Sequence, residues 1–266
     1  EVLDFNNSVL TAEQINKIKQ LCDKYWMVFS RCDEDIGSVD EKYGTHDIIL
    51  TDQKPIKQRP YIVPHAKEKI IDLELEKMLK MGVIKPTNSC WASPIVLVKK
   101  ADGKERFCVD YKKANDKTVK DSYPMPRVEE RINKLHGTKF FSIVDCTSGY
   151  WQIKMTERAK NISALICSKG LFQFNVMPFG LCNAGATFQR VVEKIIEGLK
   201  DSTAYIDDVL TASKSFDDHI DQLEKLFMRF KEANMKIKTS KCRFGQKEIK
   251  YLGYIISENC IRMDNE

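Results

Sequence analysis

The sequence predicts an α+β fold whose C-terminal half is a ferredoxin-like split unit, an antiparallel sheet with both helices on one face. Three observations predict it. From Phe140 onward, apolar patterns of strand and helix period follow one another in the order β-α-β-β-α-β. Upstream, two β-type runs flank an Asp-Gly pair, which favours a tight antiparallel reversal. The composition of the 266 residues, 42% hydrophobic and 30% charged with 12 Gly and 8 Pro, is that of an ordinary globular chain and excludes collagen, coiled coil and wholesale disorder.

Taken in order, Ala12 to Phe29 reads as a helix after a Thr11 N-cap, with Ile15, Ile18, Leu21, Cys22 and Tyr25 at three- and four-residue intervals. Asp33 to Lys57 is rich in Asp, Gly and Ser, and reads as a linker or an extended crossing segment rather than core. A soft boundary falls near Asp52. Ala66 to Met81 reads as an amphipathic helix with Ile70, Ile71, Leu73, Leu75, Met78 and Leu79 in its apolar stripe and Gly82 as its left-handed stop. Ile95 to Lys99 and Glu105 to Asp110 are the hairpin strands, and Lys99, Lys100, Lys104 and Arg106 make the hairpin tip basic.

In the split unit, Phe140 to Val144 is the first strand, and a partly β insertion runs from Trp151 to about Met177. A helix then starts at Asn183 and carries Phe188, Val191, Val192, Ile195, Ile196 and Leu199 on one face. Thr203 to Ile206 and Val209 to Ala212 are short strands around Asp207 and Asp208. Ser215 caps a helix with Ile220, Leu223, Phe227 and Phe230, and Met235 to Thr239 is expected as the last strand.

Charge is unevenly spread. Residues 1 to 53 hold 5 Lys or Arg against 11 Asp or Glu, which leaves an excess of +11 on the remainder of a chain whose net charge is +5. A basic C-terminal part is compatible with a polyanion partner. Nine Cys with no C-x-x-C pair and only four His indicate neither a disulfide framework nor a zinc site, and suit a reducing compartment. The long uncharged stretch Gly170 to Gln189 carries Pro178 and several amides, so no membrane span is expected. Beginning at Glu1 without a basic, apolar leader, the chain reads as a segment of something longer.

The split topology lays its first strand antiparallel to its third, so the end of the first strand neighbours the turn between the second and third. Asp145 ends the first strand and Asp207 and Asp208 occupy that turn, so three carboxylates are expected to cluster although 62 residues separate Asp145 from Asp207. Like charges so placed repel unless cations compensate, and hard divalent ions prefer carboxylate oxygen. Two Mg2+ ions, with Mn2+ able to substitute, suit an in-line phosphoryl displacement, so the chemistry expected is nucleotidyl transfer.

Several ordered motifs carry a resemblance: "ASPIVLVKKADGKERFCVDY", "YPMPRVEE", "VDCTSGYWQI", "MPFGLCNAGATFQR", "YIDD" and "SKCRFGQKEIKYLGYIIS". From about Lys54 to Met263 the sequence resembles the reverse transcriptases of gypsy-type long-terminal-repeat retrotransposons. The resemblance implies a right-hand polymerase with fingers and palm, adding deoxynucleotides to a primer 3′-hydroxyl on an RNA or DNA template. It implies that Asp145, Asp207 and Asp208 are the catalytic acids and bind the metal together with the Cys146 carbonyl. Lys99 and Arg106 match residues that grip the incoming triphosphate, Tyr150 an aromatic gate against the 2′-hydroxyl, and Phe179 the floor of the nucleotide pocket. Gly180 matches a position that leaves room for the template, and Lys241 a lysine near the leaving pyrophosphate.

Lys112, Tyr205, Tyr251, Leu252 and Gly253 would touch nucleic acid, the last three as the primer grip. Lys112 stands where the family usually has Arg, and Cys146 and Thr147 where Leu and Arg are common. The domain plan implied is an acidic segment over 1–53, fingers over 54–139 and 151–177, palm over 140–150 and 178–248, and a primer grip over 249–266 leading to a thumb that is missing or only begun. Fusion to protease, RNase H and integrase segments follows from the same resemblance, as does a cytoplasmic site within a virus-like particle. The rival readings are a catalytically silent RNA-binding module on the same split fold, and a nucleotidyl cyclase, which has no use for the basic hairpin or the "MPFG" loop.

Overall fold

The computed structural model describes residues 3–264 except 4, 6, 7, 9, 100–102, 104, 134, 136 and 147. The Asp-Gly turn residue Asp102, the hairpin-tip lysines Lys100 and Lys104, and Thr147 lie outside the described residues. In chain order the first elements are α1 (Ala12–Lys24), α2 (His65–Lys80), β1 (Ile84–Pro86), β2 (Ser93–Lys99), β3 (Glu105–Val109), α3 (Lys112–Asp116) and α4 (Val128–Asn133). Then come β4 (Phe140–Asp145), α5 (Glu157–Ile162), β5 (Leu165–Cys167), β6 (Gly170–Phe174), α6 (Ala184–Ile195), β7 (Ser202–Tyr205) and β8 (Asp208–Ser213). The last are α7 (Phe216–Ala233), β9 (Arg243–Gln246), β10 (Glu248–Tyr251), β11 (Tyr254–Ser257) and β12 (Ile261–Met263).

The chain forms two compact units. The first joins residues 1–43, 123–149 and 189–266, and the second joins 44–122 and 150–188. The acidic N-terminal stretch up to Tyr43 therefore belongs to the unit that holds the split sheet.

In the first unit the sheet order is β7-β8-β4-β9 with every neighbour antiparallel, and a separate three-stranded sheet runs β10-β11-β12. Phe141, Val144, Val209 and Leu210 of the four-stranded sheet are fully buried, as are Leu223, Phe227 and Phe230 of α7. Ser215 caps α7 through its hydroxyl, which accepts from the Asp218 N–H, and Asn234 in the left-handed conformation ends the helix. Thr11 and Gln14 form a capping box on α1, which stops at Lys24 and passes into a 3-10 turn over Trp26–Val28 instead of running to Phe29.

The fourth strand of this sheet is Arg243–Gln246 and not Met235 to Thr239. Gly245 accounts for the difference, because glycine inside a strand pattern argues against a strand unless it marks a bulge. Here Phe141 pairs Gln246 and Ile143 pairs Arg243, so β9 carries one residue more than β4 across that step, and Gly245 takes φ +56 to absorb it. The alternating segment after α7 finds other partners. Ile237 bridges Phe29 on one side and Cys146 on the other, and Lys236 and Lys238 pair Asp35 and Asp33 of the N-terminal segment.

The second unit holds a five-stranded sheet in the order β1-β6-β5-β2-β3, with β2 and β5 parallel. Of the α2 stripe, Ile71, Leu75 and Met78 are buried, whereas Leu73 is 67% exposed and Leu79 37%, so the packed face is narrower than the pattern suggested. The polar segment from Asp33 to Lys57 is not excluded from the core. Val39 is buried in the first unit, and after a 3-10 turn over Glu41–Tyr43 the segment bridges at His46 and Leu50 and buries His46 and Ile48 in the second. Single apolar residues spaced along an extended crossing can each reach a core without making a periodic pattern.

His219 on α7 is fully buried, with Nε2 on the Ser142 hydroxyl at 2.7 Å and Nδ1 on the Ser213 hydroxyl at 3.3 Å. Burial pushes its imidazole down to about 4, below the ordinary 6.5. A folded-state value below the unfolded one means that the unfolded chain takes up the proton first. The stability contributed by neutral His219 is therefore present above pH 6.5 and lost as pH falls toward 4, by up to roughly 3 kcal/mol. Urea unfolding at pH 7 and pH 4.5 should show a smaller acid loss in His219→Gln than in the unsubstituted protein; equal losses would mean that His219 does not titrate in this way.

Candidate active site

β4 and β8 pair without interruption from Phe140 opposite Ser213 to Asp145 opposite Asp208. Directly opposed residues on antiparallel strands stand about 5 Å apart at Cβ, and like charges so placed repel. β7 and β8 form a hairpin closed by the Tyr205–Asp208 pair, which leaves only Ile206 and Asp207 in the turn. Two-residue hairpins need positive φ in the turn. Ile206 supplies it at φ +51, a conformation that costs a β-branched residue about 1–3 kcal/mol. The Cys146 N–H donates to the Asp207 carbonyl at 3.1 Å and ties the turn to the end of β4.

The electrostatics follow from that backbone. The Asp207 carboxyl is pushed up to about 6, first by burial and then by the charges of Asp145 and Asp208, with Lys241 opposing. Asp208 is raised by burial and by Asp145, again against Lys241. Lys241, in a 3-10 turn over Thr239–Lys241, places Nζ 3.0 Å from Asp145 Oδ2. Its side chain is 58% exposed, so this ion pair is weakly held and easily exchanged. Cys146 is buried with Sγ 3.7 Å from Met235 Sδ, and burial followed by the charge of Asp207 raises its thiol. It is packing rather than a reactive thiolate.

The acids fit a hard divalent cation. Among the described residues Asp207 Oδ1 is buried without a hydrogen-bond donor, an uncommon state for a carboxylate oxygen, and the side-chain ligands offered are all carboxylate oxygen. Among the described residues no three His, Cys, Asp or Glu side chains stand as a closed ion cage, and the cation beside Asp145 is the protein's own Lys241.

The remaining predicted residues fall in both units. In the first, Tyr205 ends β7 and is partly buried. Tyr251 is only 2% exposed, and its Oη has no hydrogen-bond partner among the described residues. Its ring packs with Ile249, Leu210 and Phe141 and is not presented to a ligand; the hairpin turn offers Leu252 and Gly253, at φ +53 and +79, instead. In the second unit, Tyr150 stacks on Phe179 with centroids 4.9 Å apart and an angle of 22°, and Phe179 is half exposed. Gly180 sits at φ +94 with Tyr111 and the Val109 carbonyl 3.4 Å from where a Cβ would stand. Any side chain there would be strained and crowded. Lys99 ends β2 opposite Glu105, and Arg106 lies opposite Val98; both cations are exposed, as is Lys112 at the start of α3.

Sequence reading passed over Gln189, which sits among the apolar residues of α6 and is fully buried. Its side chain touches both the Ala204 carbonyl and the Ile206 N–H. An amide on an otherwise apolar helix face was the available signal.

With this geometry in place, comparison with known proteins gives a consistent result. The profile described as reverse transcriptase (RNA-dependent DNA polymerase) matches residues 98–256. The retrovirus-related Pol polyprotein from transposon 297 of Drosophila melanogaster is 34% identical over 224 residues, 82% of this chain and 21% of that protein. A foamy viral protease-reverse transcriptase in complex with double-stranded DNA superposes with a TM-score of 0.89 at 23% identity, covering 98% of this chain and 46% of the other. A foamy viral protease-reverse transcriptase in complex with an RNA/DNA hybrid gives 0.88 at 23% identity, with 98% and 35% covered. At that identity the two viral structures show the shared α+β fold. The chain spans about a fifth or less of the length of the curated relatives it matches. No helix among the described residues is long and apolar enough to cross a membrane. By its matched profile and its Pol polyprotein relatives, the chain belongs to the reverse transcriptase family and is a reverse transcriptase domain of retrotransposon type.

Proposed function

We propose that this chain is an RNA-directed DNA polymerase that adds deoxynucleotides to a primer 3′-hydroxyl on RNA or DNA, with Asp145, Asp207 and Asp208 as its catalytic acids. The observation that carries the reading is the opposition of Asp145 and Asp208 at the sheet end, with Asp207 Oδ1 buried beside them and lacking a donor among the described residues. Two Mg2+ ions, or Mn2+, held by these acids and the Cys146 carbonyl would activate the primer hydroxyl and neutralise the leaving oxygen. Lys241 balances charge at Asp145 and, near the leaving pyrophosphate, takes up part of its negative charge. Lys99 and Arg106 receive the triphosphate, which suits two exposed cations on one hairpin.

Tyr150 on Phe179 forms the wall under the sugar, where a ring excludes a 2′-hydroxyl by bulk. Lys112, Tyr205 and the Tyr251-Leu252-Gly253 turn meet the nucleic acid, the last mainly through backbone and Leu252. The palm comprises 140–150 and 178–248, the fingers 54–139 and 151–177, and the primer grip 249–266. The complexes of the viral protein with DNA and with an RNA/DNA hybrid support a primer-template as partner. The Pol polyprotein relatives support fusion to further segments, for which the resemblance implies protease, RNase H and integrase. Nine Cys with no C-x-x-C spacing suit a reducing compartment such as the cytoplasm, and a particle assembled there. No observation favours the silent RNA-binding alternative.

Primer extension with Mg2+ on RNA and DNA templates tests the reading, and extension should depend on all three acids. Asp207→Asn should lower the rate at least about 10³-fold. The same substitution removes a group whose raised value means that stability is lost as pH rises through about 6. The metal-free variant should therefore be more stable at pH 8, by roughly 2 kcal/mol after allowance for partial exposure, and show no gain near pH 4. Retained synthesis would remove Asp207 from the reaction, and lost synthesis with lost folding would leave the stability measurement to decide against it. Tyr150→Val should admit ribonucleotides, raising their incorporation relative to deoxynucleotides by at least about tenfold; unchanged sugar selectivity would return Tyr150 to a packing role.

A further inference from the structure

The turn that carries Asp207 is held by a side chain from elsewhere in the chain. Gln189 Oε1 accepts the Ile206 N–H at 2.7 Å, and Gln189 Nε2 donates to the Ala204 carbonyl at 2.9 Å. Ala204 and Ile206 are two apart, so their backbone groups face the same edge of β7. The carboxamide thus pairs that edge as the peptide group of a further strand would. β7 is the outer strand of its sheet, so among the described residues no neighbouring strand competes for these groups.

The orientation of the amide is fixed as well. Nε2 also donates to Glu193 Oε1 at 3.0 Å, and a carboxylate can only accept, so the oxygen of the amide must face the Ile206 N–H. Glu193 in turn accepts from Arg131 Nη2 at 2.6 Å and from the Tyr123 hydroxyl. The Arg190 guanidinium lies over the Tyr123 ring, 4.6 Å from its centroid. Tyr123 opens the "YPMPRVEE" motif and Arg131 directly follows it, and the chemistry proposed above gives that motif no task.

We propose that Gln189 is a positioning residue that holds the strained Ile206–Asp207 turn in its metal-accepting form, and that Glu193, braced by Arg131 and Tyr123, keeps the Gln189 amide from flipping. This rests on the reading of Asp145, Asp207 and Asp208 as metal-binding acids. A β-branched residue at φ +51 persists only where its surroundings over-determine it. Without Gln189 the Ile206 N–H loses its partner, and Ile206 relaxes toward negative φ. Asp207, the next residue, then turns away from Asp145.

Mn2+ binding to the intact chain, followed by electron paramagnetic resonance, and steady-state extension kinetics test this together. Gln189→Leu should weaken Asp207-dependent Mn2+ binding and lower kcat, each by about 10–100-fold. KM for deoxynucleotide and Kd for primer-template should stay within about twofold of the unsubstituted values. Asn tolerates left-handed backbone far better than Ile. Adding Ile206→Asn to Gln189→Leu should therefore recover most of the loss, which mere repacking of a core would not allow. Glu193→Gln, at a partly exposed position, should give a smaller loss of the same kind and serves if Gln189→Leu does not fold.

Wild-type Mn2+ affinity and kcat in Gln189→Leu, or in Glu193→Gln should that be the variant that folds, would overturn the proposal. So would a loss that Ile206→Asn leaves unrelieved. If the unsubstituted chain shows no Asp207-dependent Mn2+ binding, it is the reading of the acids that fails.

Discussion

The register of β4 against β8 is the constraint on which the rest depends. Uninterrupted pairing from Phe140 to Asp145 leaves the chain no freedom at the sheet end: Asp145 must face Asp208, and the turn before Asp208 must carry Asp207 beside them. Left to themselves, three acids would avoid such a place, since each is partly desolvated and each repels the others. The hydrophobic pairs behind them, with Val144, Val209 and Leu210 fully buried, enforce it. The core thus sets a local electrostatic cost that a bound cation removes, as is common where a site is built for charge.

Several features of the first unit limit that cost. Lys241 reaches Asp145, the Cys146 N–H pins the Asp207 carbonyl, and Gln189 ties down the turn from the outer edge of β7. The acidic N-terminal segment contributes through Asp33 and Asp35, which pair Lys238 and Lys236 on the segment that bridges Cys146. The charge asymmetry of the sequence is therefore partly settled inside this unit, by acids of the first 53 residues pairing with lysines of the basic part.

What the sequence made legible was whatever depends on local pattern. Thr11 and Ser215 are caps because their hydroxyls sit where a helix begins, and the Asp207–Asp208 pair stood out because apolar strands flank it. What it hid depends on distant partners. Gly245 disguised β9, since a bulge is visible only when the opposite strand is known. Val39, His46 and Ile48 were hidden because isolated residues on an extended crossing have no period. Tyr251 looked available from its motif but faces inward. Gln189 was missed because an amide on an apolar helix face reads as an irregularity until the backbone groups it satisfies are seen.

The account is tested most directly by anomalous diffraction from crystals of the chain soaked in Mn2+. It predicts manganese peaks at coordination distance from carboxylate oxygens of Asp145 and Asp208, with Asp207 contributing and Lys241 displaced from Asp145. Manganese bound only elsewhere, with the Lys241–Asp145 pair intact, would contradict it.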